Sequence, residues 1–287
     1  MMNESFFASL KNYRYSHESA RYGFGDRQTQ NTGSGIEFED YRSYIPGDDM
    51  RLLDWNVYSR LDQLYVKRYK SSGGLKITII LDRSASMVVD PFKMTSAVKL
   101  ASALGFVGLN NSDTVRILPM PCLNENEVQT YISKKQLQTM VDSLEKIRIV
   151  RAEKHSKSLK FAYSGNERSS LSLIISDFQE EQSWFKFVNF LKGNHQRVFA
   201  FHILSEKELE LPDEGHDISL RSVEFAEKHK IEVTNSLKVA FLTKFKEYLQ
   251  RTNAFMHSNR VGYIKIASDA RLNGHFWQKL KNLGLWS

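Results

Sequence analysis

From Leu75 onward, apolar runs of strand length alternate with longer runs of helical spacing, and this alternation restricts the fold more than any other property of the sequence. LKITIILD (75–82) reads as a buried strand, PFKMTSAVKLASALGFVGLN (91–110) as an apolar helix, and DTVRILPM (113–120) as a second strand closed by Pro119 and Pro121. KKQLQTMVDSLEKI (134–147) has the three-and-four spacing of an amphipathic helix. LSLIISD (171–177), SWFKFVNFLKG (183–193) and QRVFAFHILS (196–205) then continue as strand, helix and strand. Such an order predicts a mainly parallel sheet covered by helices on both faces. After Ser205, ISLRSVE (218–224) and HKIEVT (229–234) read as a pair of strands, residues 235–259 as a long helix, YIKIAS (263–268) as a last strand and GHFWQKLKNLGLW (274–286) as a terminal helix. The expected organisation is one α/β domain over 75–287, with residues 1–74 forming an N-terminal segment of short strands and turns packed on it.

Two of the apolar strands end in an aspartate. Asp82 is followed at two-residue intervals by Ser84 and Ser86, and the later strand ends in Asp177. In an open α/β fold the carboxyl ends of the strands form the edge where ligands bind. A carboxylate and two hydroxyls converging there are hard oxygen donors, suited to Mg²⁺ or Mn²⁺ rather than to a soft metal. The alternative is that aspartates follow buried strands as turn or helix-cap residues.

The N-terminal 74 residues are rich in aromatic, basic and glycine residues. GIEFEDYRSYI (35–45) and LDQLYVKRY (61–69) read as short strands around the turn IPGDD (45–49). A hydrophobic share of 41% and a charged share of 25% are those of a soluble globular chain. No apolar run is expected to reach the length of a membrane span, and the start lacks the features of a secretory signal, so the expected location is the cytoplasm. The single Cys122 fits a reducing compartment and reads as a small hydrophobe near an edge strand. The net charge of +7 permits an anionic partner. Lysines and arginines are interleaved with acids, however, as on a solvated face. The eight histidines are not spaced as zinc ligands, and His202 reads as a core residue. The glycines of RYGFGDR and NTGSGIE precede no P-loop lysine, so the chain is not expected to hydrolyse ATP alone.

The strand-edge Asp-x-Ser-x-Ser with a later strand-edge Asp resembles the metal-ion-dependent adhesion site of von Willebrand factor type A domains. The stretch before it, GSGIEFEDYRSYIPGDDMRLLDWNVYSRLDQLYVKRY, resembles the signature of the bacterial domain of unknown function 58 (DUF58) family. The matching positions are Gly33, Gly35, Glu37, Phe38, Arg42, Tyr44, Gly47, Asp48, Arg51, Asp54, Trp55, Arg60, Tyr65 and Val66. The resemblance implies a type A-like fold, a Mg²⁺ or Mn²⁺ site at Asp82, Ser84, Ser86 and Asp177, and work beside a MoxR-type AAA+ ATPase and other type A-domain proteins. That work would be chaperone-like maturation or assembly of protein complexes. An acidic side chain of the partner would complete the metal shell.

In one place the chain departs from the type A pattern. Where that pattern has a threonine, EKHSKSLKFAY places Lys157, with Ser156 and Ser158 on either side. Either serine can supply the hydroxyl if the loop shifts by one residue, or the Lys157 ammonium can replace the metal and pair with Asp82 and Asp177. In the N-terminal segment, Arg42, Asp48, Arg51, Asp54, Trp55 and Arg60 form a cluster with two readings. It is a partner-docking surface, or a set of ion pairs with Trp55 buried between them. Beside the non-enzymatic adaptor stand two other classes: a Mg²⁺-dependent phosphohydrolase with Asp82 as nucleophile and Asp177 as metal ligand, and a single-strand nucleic-acid binder using NYRYSHESARYGFGDR (12–27).

Overall fold

The computed structural model describes residues 4–16, 38–45, 50, 53–69, 74–150, 171–205, 217–221, 228–232, 234–269 and 272–286. The chain divides into two compact units, residues 24–74 and the remainder. Residues 1–23, read from the sequence as part of the N-terminal segment, group instead with the α/β unit. The reason is burial: helix α1 (Glu4–Ala8) leads into Leu10 and Tyr15, which lie in that unit's core, and the Tyr15 hydroxyl donates to the Leu104 carbonyl at 2.8 Å.

In the smaller unit, β1 (Phe38–Ser43) pairs antiparallel with β2 (Tyr65–Tyr69), with an irregularity between Phe38 and Asp40. Between them lies a helix that the alternating pattern did not predict, α2 (Trp55–Leu61). Asp54 caps it, its carboxylate accepting the N–H groups of Asn56 at 2.9 Å and Val57 at 3.3 Å, and Asp62 ends it in a left-handed conformation.

The larger unit is built on a six-stranded sheet. Its strands are β3 (Lys76–Asp82), β4 (Thr114–Met120), β5 (Gln129–Tyr131), β6 (Leu171–Ser176), β7 (Arg197–Leu204) and, near the end of the chain, β10 (Gly262–Ala267). Across the sheet the order is β10-β7-β6-β3-β4-β5. All neighbours run parallel except β4 and β5. Between β7 and β10 in sequence, β8 (Asp217–Arg221) and β9 (Lys228–Glu232) form a separate antiparallel ribbon. The short edge strand β5 was not foreseen. Pro119, expected to close β4, lies inside it opposite Leu81. β5 pairs only with Val115–Ile117, so the ladder on the outer side of β4 stops short of the proline, where a missing N–H is tolerated.

Helices cover both faces. On one, α3 (Pro91–Asn110), α4 (Leu137–Glu145) and, at the chain's end, α7 (Gly274–Asn282) pack against Ile77, Ile79, Leu81, Ile117, Leu173, Phe201 and Ile264. On the other, α5 (Glu181–Gly193) and the end of α6 (Asn235–Ser258) pack Trp184, Phe187 and Met256 against Ile80, Leu118, Ile174 and Ala200. Two-sided burial explains why β3 and β6 are continuously apolar.

α3 is the central helix. It is long and apolar enough to span a membrane by length and composition, which corrects the expectation that no run reaches that length. Here it is a core helix, with twelve residues buried. Its end lies so close to the sheet that a Cβ on Gly108 would meet Val115 at 2.7 Å and Ile77 at 3.0 Å.

Candidate functional site

The carboxyl ends of β3, β6, β7 and β10 converge on the first turn of α3, and buried polar contacts fix that turn. Asp90 caps the helix, accepting the Phe92 N–H at 3.2 Å. Its other oxygen accepts the hydroxyls of Ser205, just after β7, at 2.6 Å and of Ser268, just after β10, at 2.9 Å. The Ser96 hydroxyl donates to the Ser268 carbonyl. One carboxylate therefore ties two strand ends to the helix start.

Within this frame the structure brings Asp82, Ser84, Ser86 and Asp177 together, all at 5% exposure or less. Asp82 accepts the Ser84 N–H at 2.8 Å on one oxygen and the Ser176 hydroxyl at 2.5 Å on the other. Asp177 accepts the Ser86 hydroxyl at 3.2 Å and the Gln179 N–H at 3.3 Å on one oxygen. Because the Ser86 proton goes to Asp177, the 3.0 Å contact between the two serine hydroxyls is donated by Ser84.

The second oxygen of Asp177 holds Lys93. The ammonium lies 2.6 Å from Oδ2 and donates to the Ser86 carbonyl at 3.3 Å, and the residue is fully buried. Burial pushes the Asp177 carboxyl above the usual carboxylate range, with the Lys93 charge opposing that shift and the Asp82 charge adding to it.

Behind Asp177 the network continues. Tyr248 of α6 donates to the Asp177 carbonyl at 2.5 Å and meets His202 Nε2 at 3.0 Å, while His202 Nδ1 meets the Tyr263 hydroxyl at 2.6 Å. The single Tyr248 proton is used on the carbonyl, so His202 carries its proton on Nε2 and accepts from Tyr263 at Nδ1. Burial pushes this imidazole down to about 3, with the charges of Lys265 and Lys93 acting in the same direction, so it is neutral near pH 7. Phe178, buried against Trp184 and His202, turns the chain after Asp177 with a φ of 52°.

Do these residues fit the divalent ion that the spacing suggests? A cation needs oxygen lone pairs turned toward it. Here an ammonium is seated on Asp177 Oδ2, and the other Asp177 oxygen and both Asp82 oxygens already accept internal hydrogen bonds. As folded, the set does not fit a divalent ion beside Lys93. Among the described residues no cluster of three or more His, Cys, Asp or Glu side chains is placed to hold a metal. Lys157, Ser156 and Ser158 lie outside the described residues.

Lys93 was missed in the sequence, yet it had a signal. Positions 93, 97, 100 and 104 form one helical stripe, and a lysine heading a stripe of Ala97, Leu100 and Leu104 is headed for burial with an acid. Arg83, inside the motif, was also overlooked. It is buried, donating to the Pro121 carbonyl at 2.8 Å and pairing with Glu127 at 2.5 Å.

Of the N-terminal cluster, the structure describes Arg42, Asp54, Trp55 and Arg60. Asp54 is the cap of α2 and also accepts the Tyr41 hydroxyl at 2.9 Å. Trp55 is not buried between arginines: it is 58% exposed and stands edge-on to Tyr58. Arg60 is exposed, Arg42 donates to the Ser43 carbonyl at 3.2 Å, and Asp48 and Arg51 lie outside the described residues. Most of the aromatic, basic stretch 12–27 lies outside them as well. Cys122 is buried against the Asn124 carbonyl, and burial pushes its thiol up to about 11.

A mainly parallel α/β sheet with a buried acid, hydroxyl and lysine cluster at its carboxyl edge defines the class. The chain belongs to the family described as protein of unknown function DUF58, which it matches over residues 40–251. It is similar to the uncharacterized proteins Rv1480 of Mycobacterium tuberculosis and Mb1516 of Mycobacterium bovis. Each is 24% identical over 223 residues, covering 76% of this chain and 70% of the relative. Among solved structures it resembles an aerotolerance-related membrane protein from Bacteroides fragilis at 15% identity, with a TM-score of 0.41, over 74% of this chain and 98% of that one.

Proposed function

We propose that the protein is a non-enzymatic interaction module of von Willebrand factor type A-like architecture, acting in the cytoplasm. Its partner is a MoxR-type AAA+ ATPase, and the pair serves the maturation or assembly of protein complexes. One observation carries this reading. The acids and hydroxyls at the carboxyl edge are buried and engaged with one another, whereas Val88, Val89 and Phe92 beside them are 40%, 54% and 52% exposed. Adjacent exposed apolar side chains on a rigid edge suit protein contact. The same burial argues against the phosphohydrolase, because both oxygens of Asp82 accept internal hydrogen bonds and its nucleophilic attack would require the network to open.

The test is a titration of the purified MoxR-type ATPase onto immobilised protein. Val89→Asp and Phe92→Asp are expected to weaken binding at least about tenfold, or 1.4 kcal/mol, with an unchanged circular dichroism spectrum. Equal capture by both variants would sink the proposal.

A further inference from the structure

We propose that Lys93 is a tethered cation. Its ammonium takes the seat that Asp82, Ser84, Ser86 and Asp177 would otherwise offer a divalent ion, so that this edge of the sheet is organised without metal. The inference concerns the donor set and stands apart from the identity of any partner.

Three observations support it. The first is placement. Lys93 sits in the first turn of α3, where the positive end of the helix dipole disfavours a cation, and it is fully buried, where an uncompensated ammonium would be far costlier. The 2.6 Å contact with Asp177 offsets both penalties. The cap at Asp90, bonded to Ser205 and Ser268, holds the turn so that the lysine cannot drift from the acid without breaking those bonds.

The second is charge. Lys93 already places a positive charge 2.6 Å from Asp177. A divalent ion added to that set would stand beside a buried ammonium, a like-charge contact that a low-dielectric interior makes severe.

The third is proton direction. The relay from Ser84 to Ser86 to Asp177, with the Ser84 N–H and the Ser176 hydroxyl on Asp82, points hydrogens at the three carboxylate oxygens that Lys93 does not hold. The Lys93 bond to the Ser86 carbonyl completes the arrangement by fixing the loop that carries both serines.

The experiment is a Mn²⁺ titration read by electron paramagnetic resonance, with thermal melts run in parallel. It compares the unmodified chain, Lys93→Met, and the charge-neutral Lys93→Met/Asp177→Asn variant. The unmodified chain is expected to leave the free-ion signal unchanged and its melting temperature insensitive to Mn²⁺. Lys93→Met should melt lower, take up one equivalent of Mn²⁺ and regain melting temperature as it does so. The double variant should fold and bind none. A lysine with a merely structural role would give a destabilised variant that Mn²⁺ does not rescue. Stoichiometric Mn²⁺ uptake by the unmodified chain would overturn the proposal. So would a folded Lys93→Met chain that binds none, or one that fails to fold even in Mn²⁺ while the double variant folds.

Discussion

The two edges of the central sheet bury acids in different ways. At the amino edge, Asp113 accepts the Leu75 N–H at 2.8 Å, and burial raises its carboxyl to about 6. At the carboxyl edge, Asp177 is more deeply enclosed but is held by an ammonium, a hydroxyl and a backbone N–H. An acid held by a neutral donor titrates close to physiological pH. An acid held by a buried cation is part of a fixed ionic structure, and removing either partner strands the other. Burial raises both carboxyls, so the contrast is between an acid held by a neutral donor at the amino edge and one tied into an ion pair at the carboxyl edge.

Breaking the ionic joint should have the largest effect. Lys93→Met leaves the buried Asp177 without its ammonium and is expected to lower unfolding free energy by about 3–5 kcal/mol. The Lys93→Met/Asp177→Asn pair should recover most of that loss. Urea denaturation of the set gives the coupling directly, and equal losses in the single and double variants would show that the pair does not act as a unit.

The next effects are in pH dependence, and the two edges should differ in sign. His202, behind Asp177, is neutral in the fold down to about pH 3, whereas an unfolded histidine takes a proton below about 6.5. The unfolded state therefore binds more protons in that window, and stability falls as pH falls through it, by about 2–3 kcal/mol at pH 4.5. His202→Gln should flatten this limb. Asp113 works the other way: between about pH 4 and 6 the folded state holds a proton that the unfolded state has released, so stability falls as pH rises. Asp113→Asn keeps an acceptor for Leu75 and should gain about 1 kcal/mol at pH 7, because the folded chain no longer has to ionise a buried acid. In the unmodified chain the opposing slopes partly cancel between pH 4 and 6. Unfolding profiles of the two single variants should diverge there, and parallel profiles would contradict both assignments.

The strands and helices of the α/β unit were legible because two-sided burial writes continuous apolar runs, as in LSLIIS, and helical stripes, as in α3. Asp82, Ser84, Ser86 and Asp177 were legible for a related reason: a polar residue that ends an apolar strand marks the carboxyl edge. Lys93 was not read because its role depends on Asp177, 84 residues away, and its burial follows only from its place at the head of the stripe of Ala97, Leu100 and Leu104. Helix α2 was hidden by WNVYSRL, a β-prone composition that the Asp54 cap overrides. Trp55 was misplaced for the same reason, since a helix starting there turns its indole outward. The short strand β5 has too little pattern in three residues to be seen.

The smallest stability effect should come from the exposed half of the carboxyl edge, and that is its use. Phe92 donates its backbone N–H to the Asp90 cap, but its ring is 52% exposed. Phe92→Ser keeps the N–H and trims a half-exposed ring, so unfolding free energy should change far less than in Lys93→Met, by about 1 kcal/mol or less. Lys93, the next residue, is buried and carries the largest expected change on the same helical turn. If the edge is divided in this way, Phe92→Ser should leave the pH profile of the unmodified chain intact and move the urea midpoint far less than Lys93→Met does, while weakening capture of the ATPase. A midpoint shifted as far as in Lys93→Met would instead make the apolar rim part of the same structural joint as the ion pair, and the separation between a buried scaffold and an exposed contact surface would fail.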